Sequence, residues 1–118
     1  MQYMNNKNKG FLRFLICKEG KDFVAVCLDL NLIEYGKDPL ELQKSIEEAA
    51  VSYLETVKKE KLPDSFLNQS APEKYWKKWE KFQRNSIEKI ISSKNQPKQS
   101  NNCLISTTQQ YNKNFCSC

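Results

Sequence analysis

The chain has 118 residues, with 19 Lys and Arg against 14 Asp and Glu, a formal net charge of +5 and no histidine. That length allows one domain with little room for a second. The missing imidazole excludes Ser-His-Asp and Cys-His nucleophile systems, a histidine general base and histidine metal ligands.

The charge is uneven. Met1 to Glu60 carries nine basic and ten acidic residues, and Lys61 to Cys118 carries ten basic and four acidic. The first half reads as a near-neutral patterned fold and the second as a basic appendage, which permits contact with nucleic acid or an acidic partner. Residues 1–10 are polar, rich in Asn and Lys, and read as a flexible leader without the apolar stretch of a secretory signal. No apolar run is long enough to span a bilayer. The expectation is a cytoplasmic protein with no membrane partner.

In chain order, Phe11–Cys17 is a short apolar, aromatic-rich run that reads as a strand. Gly20 lies in the turn Lys18–Asp22, free to take positive φ, and Phe23–Leu28, with two valines, reads as the second strand of a hairpin. After a break at Asp29-Leu30-Asn31, Leu32–Gly36 reads as a third strand of an antiparallel meander. One face of such a sheet needs a cover. The cover is the next segment: Asp38 is a good N-cap, Pro39 suits the first helical position and Glu41 follows in the first turn. Leu42, Ile46, Ala49, Ala50, Tyr53, Leu54 and Val57 then recur at helical spacing as far as Lys59.

Pro63 ends that helix, and Ser65–Leu67 is a candidate fourth strand. Ser70 reads as the N-cap of a second helix, Glu73 to about Lys94, on which Trp76, Trp79, Ile87 and Ile90 share a face among Lys74, Lys77, Lys78, Lys81, Arg84 and Lys89. The stretch Asn95–Cys118 is dominated by Asn, Gln, Ser, Thr and Lys and reads as a disordered polar tail. The expected fold is therefore α+β: a small antiparallel three-stranded sheet under one long helix over residues 11–67, a basic aromatic helix over 71–94, and a tail over 95–118.

The five cysteines contain no Cys-x-x-Cys pair, and Cys116-Ser-Cys118 is too tight for a zinc knuckle. An odd count in a cytosolic chain argues against a disulfide framework, so Cys17 and Cys27 read as buried thiols. Asp22, Asp29, Glu34 and Asp38 could in principle hold catalytic metals, but their turn and cap positions favour structural roles. The three glycines are too scattered for a phosphate loop, and no serine has a base nearby. Nothing points to an enzyme, a cofactor or a metal. The aromatics of the second helix could stack on bases, with Lys77, Lys78, Lys81 and Arg84 on phosphates, but packing is the better reading of that stripe.

Gly20-Lys21-Asp22-Phe23-Val24-Ala25-Val26-Cys27, the Asp29-Leu30 corner, Gly36 closing the third strand, and Asp38-Pro39-Leu40-Glu41-Leu42 opening the helix together resemble the HicB-type antitoxins, over about 47 of the 118 residues. The Pro-Gly common in that family after its acidic-Leu corner is replaced here by Asn31-Leu32, and no helix-turn-helix or ribbon-helix-helix segment follows Leu62. The resemblance implies an incomplete RNase H-like sheet domain without catalysis. It implies self-association and a small basic RNase toxin of the HicA type as partner. Glu41, Glu47, Glu48 and Glu55 on the first helix are the candidate residues for that contact. The competing reading is a DNA-binding transcriptional regulator acting through the basic helix.

Overall fold

The computed structural model describes residues 5–91 and 103–112, with side chains omitted over 85–91. The fold is α+β. Strands β1 (Lys9–Glu19), β2 (Asp22–Cys27) and β3 (Leu32–Gly36) form the expected meander, followed by α1 (Pro39–Lys59), a 3-10 turn (Asp64–Leu67), α2 (Glu73–Ile91) and β4 (Cys103–Asn112). The four strands lie in the order β3-β2-β1-β4, every neighbouring pair antiparallel. Gly20 holds φ +65° in the two-residue turn between β1 and β2, a backbone region that glycine enters at little cost.

Helix α1 forms for the reasons its sequence gives. The Asp38 carboxylate accepts the backbone N–H of Leu40 at 2.9 Å and of Glu41 at 3.4 Å, and Pro39 follows in the first turn. Leu42, Ile46, Ala50, Leu54 and Val57 are buried along its inward stripe. They pack on Leu12, Phe14, Ile16, Ala25 and Cys27 of β1 and β2. Each fully buried Ile or Leu there contributes roughly 1.5–3 kcal/mol.

The opposite face of the sheet is also covered. Leu15, Cys17, Val24, Val26 and Leu28 form a second cluster with Ala71 and Tyr75, against which Trp76, Trp79 and Phe82 of α2 pack. The sheet is therefore the middle of three layers. This corrects the expectation of a single covered face, and it explains why β1 and β2 read as continuous apolar runs rather than as alternating strands.

Several expectations are overturned. Within the segment read as a disordered tail, Cys103–Asn112 is the edge strand β4, in register with β1 from Lys9↔Asn112 to Ile16↔Ile105. The ladder supplies the backbone hydrogen bonds that its polar composition does not advertise, and buried Tyr111 anchors its end by donating its hydroxyl to the Asn6 carbonyl at 2.8 Å. The rest of the supposed tail, 92–102 and 113–118, lies outside the described residues. The fourth strand is thus β4, and Ser65–Leu67 belongs to the 3-10 turn.

Residues 5–10 are no loose leader. Asn5 is buried, its amide donating to the carbonyls of Phe11 and Leu67 and accepting the Phe11 N–H, while its backbone exchanges hydrogen bonds with the Asn68 side chain. Ser70 sits at φ +63° ahead of α2, where its hydroxyl accepts the Trp76 indole N–H at 3.0 Å. Ile87 and Ile90, expected on the same helix face as the tryptophans, fall among the side chains outside the description.

Cys17 and Cys103 form a disulfide, against the expectation of free thiols; spacing along the chain cannot reveal that β1 and β4 place them opposite each other. Cys27 is a buried free thiol, as expected. Burial pushes its pKa up to about 12, with a smaller push from the nearby Asp29 charge.

Candidate functional site: the groove between α1 and β4

Helix α1 lies over β2 and β3 and reaches as far as β1, whereas α2 reaches β4 on the other face. The α1-side face of β4 is left beside the helix rather than beneath it. A groove of about 460 Å³ runs there, lined by Lys44, Glu47, Glu48, Val51 and Ser52 of α1 and by Gln109 of β4. Glu47 and Glu48 follow directly in sequence and so project about 100° apart around the helix, Glu47 on the flank nearer the sheet. Consistent with that, Glu48 is exposed and Glu47 half-buried, its carboxylate accepting the Gln43 side-chain amide at 3.2 Å. Two carboxylates against one ammonium make the lining net acidic.

Of the four glutamates expected to meet a partner, the structure brings Glu47 and Glu48 together in this groove. Glu41 and Glu55 lie seven residues either side of Glu48, two turns away along the same stripe, outside the lining. Gln109 was missed by the sequence reading, because it belongs to a strand read as disorder.

The basic helix resolves differently. Tyr75 is buried, and Trp76, Trp79 and Phe82 turn inward against the sheet, so these rings serve packing. Lys77, Lys81 and Arg84 are exposed; Lys77 lies 3.9 Å from Glu73. Lys78 is half-buried, with its ammonium 5.8 Å from the Tyr75 ring centre. Spacings of four and three residues put Lys77, Lys81 and Arg84 on one outward face.

The acidic residues weighed as metal ligands are dispersed. Asp22 pairs with Lys37 at 2.9 Å, Glu34 accepts the Ser45 hydroxyl at 2.7 Å, and Asp38 caps α1. Asp29, buried, takes the Arg13 guanidinium at 2.6 Å and 3.2 Å and the Arg13 backbone N–H at 2.8 Å. Among the described residues no three Cys, Asp or Glu side chains stand close enough to hold a metal ion. No helix among them is long and apolar enough to cross a membrane. On the far edge of the sheet, the exposed Tyr35 phenol is shifted above its ordinary pKa, chiefly by hydrogen bonding with the Tyr75 phenol and further by Glu19.

No family model, curated protein or solved structure matches this chain.

Proposed function

We propose that this chain is a non-catalytic binding protein of the HicB-like antitoxin type, which neutralises a small basic RNase of the HicA type by holding it against the α1–β4 groove. The observation that carries the reading is the pairing of Glu47 and Glu48 beside an uncharged strand in an open groove. Such a surface offers a basic protein both charge complementarity and shape. The meander, the Asp29-Leu30 corner and the Asp38-capped helix that carry the family resemblance support it as well. The inward-turned rings of α2 count against the alternative of a DNA-binding regulator, which would need them for stacking and would be left with Lys77, Lys81 and Arg84 on phosphates. The proposed site of action is the cytoplasm, where such a toxin meets its RNA. Disulfides are unusual in that compartment, but Cys17 is fully buried and Cys103 nearly so, which slows reduction while the chain is folded.

The test is titration of a purified HicA-type RNase with the full chain, reading both complex formation and RNA cleavage. The expected result is a complex that suppresses cleavage and weakens by about thirtyfold, roughly 2 kcal/mol, when Glu47→Lys and Glu48→Lys are combined with the fold intact by circular dichroism. Unchanged inhibition by that variant would overturn the groove as the site. Salt-sensitive duplex DNA binding that is lost with Lys77→Ala, Lys81→Ala and Arg84→Ala, with no effect on the RNase, would replace this reading with the regulator.

A further inference from the structure

The two edges of the sheet are unequal. β3 has five residues, and it carries Glu34 with Lys37 just beyond its end. β4 has ten residues, Cys103 to Asn112, without a charge, a proline or a glycine among them. Natural sheets guard their edges with charges, prolines or short strands, because a long bare edge is a template for another strand. Among the described residues β4 has none of these guards from Leu104 to Gln110, and Thr108, Gln109 and Gln110 are exposed along it. The groove rimmed by Glu47 and Glu48 opens on the α1-side face of this same strand, with Gln109 in its lining.

We propose that β4 is a strand-acceptor edge: an extended, basic segment of a partner protein adds to the sheet outside β4, and its Lys or Arg side chains at every second position enter the groove beside Glu47 and Glu48. This inference rests on the proposed basic partner and adds the mode of contact. The geometry is that of strand addition. An added strand lies about 4.8 Å beyond β4, and its alternate side chains point to the α1 face, level with Gln109. Main-chain bonds to β4 would supply register, and the two carboxylates would select cations. A second copy of this chain fits the edge less well, since its own β4 brings no cation to the glutamates.

The probe is a ten-residue peptide of alternating Lys and Thr, added to the full-length ¹⁵N-labelled chain. Two further peptides accompany it: one with Glu in place of Lys, and one with alternate backbone amides N-methylated, which keeps the charge but cannot form a ladder. The expected result is that the Lys-Thr peptide slows amide exchange in β4 and loses at least tenfold in affinity with Glu47→Gln and Glu48→Gln. The Glu and N-methyl peptides should bind at least tenfold more weakly than the parent. Equal binding by the N-methyl peptide would overturn strand addition while leaving a basic partner in place. No binding by the Lys-Thr peptide also overturns it, and RNase inhibition separately decides the antitoxin reading. Concentration-dependent dimerisation that protects β4 without peptide would assign the edge to a second copy and overturn the proposal.

Discussion

Replacing Asp29 by Asn tests the most buried ion pair among the described residues. Asp29 is 4% exposed, and the side chain of Arg13 is 15% exposed. The carboxylate receives the Arg13 backbone N–H and two guanidinium nitrogens, and the guanidinium lies 4.9 Å from the Trp76 ring centre. The Asp29 carbonyl meanwhile accepts the N–H groups of Gln69 and Ser70, at 2.9 Å and 3.2 Å. One residue thus ties β1, the β2–β3 connection and the approach to α2. In Asp29→Asn the amide nitrogen would face a donor, and a half-desolvated guanidinium would lose its counter-charge. Breaking a buried pair from one side costs about 3–5 kcal/mol. Partial solvent access to Arg13 places the expectation at about 3, or a drop in Tm of roughly 12–24 °C for a domain of this size. Urea unfolding followed by tryptophan fluorescence and circular dichroism should show a lower midpoint at unchanged slope. Removing both partners as Arg13→Met with Asp29→Leu should cost less than the single change, because no uncompensated charge remains. A loss below 1 kcal/mol for Asp29→Asn would place the pair in the class of surface ion pairs and refute the reasoning.

Gly10→Ala should destabilise by about 1–3 kcal/mol, since a Cβ there would lie 2.7 Å from the Tyr111 ring and against the Asn5 side chain; a urea midpoint unchanged within error would contradict the placement of Tyr111. Reducing the Cys17–Cys103 disulfide, which closes a separation of 86 residues, should cost about 2–4 kcal/mol, read as the difference between urea titrations with and without a dithiol reductant. The Cys27 thiol has its folded pKa raised from 9.0 to about 12, so the neutral form is favoured in the fold. Its contribution is fully present below pH 9 and is lost as pH rises toward 12, at up to about 1.4 kcal/mol per pH unit. The stability gap between the natural chain and Cys27→Ala should narrow over that window; a gap independent of pH would show that the thiolate is not penalised.

The parts of the fold visible in the sequence are those whose signals are local. Gly20 marks a hairpin turn, Asp38-Pro39 a helix start, and Leu42, Ile46, Ala50 and Leu54 a helical stripe, and each signal lies within a few residues of the element it specifies. β4 has no such signal. Its partner strand is some ninety residues upstream, and its burial rests on Cys103 and Tyr111, with Ile105 partly covered. Thr and Gln along an edge strand look the same as Thr and Gln in a coil. One local clue does exist: six apolar or aromatic residues with Arg13 alone among them in Phe11–Cys17 is the pattern of a strand covered on both faces, and the aromatic stripe of α2 is the second cover.

The site was half legible for a geometric reason. Four strands spaced about 4.8 Å apart set the outer strand axes roughly 14 Å apart, while a helix with its side chains is about 10–12 Å across. A single helix therefore cannot roof both edges of the sheet. α1 sits toward β3 and α2 toward β4, so each face keeps one uncovered strip. On the α2 side the strip is β3, where Ile33 is 37% and Tyr35 60% exposed. On the α1 side it is the stretch of β4 around exposed Gln109, between half-covered Thr107 and buried Tyr111, and there the strip becomes the groove beside Glu47 and Glu48. The sequence marks which residues of α1 face outward, and so yields the glutamates. It does not encode locally how far along the sheet a helix is displaced, and that offset alone turns a solvated acidic face into the wall of a groove with Gln109 in its lining.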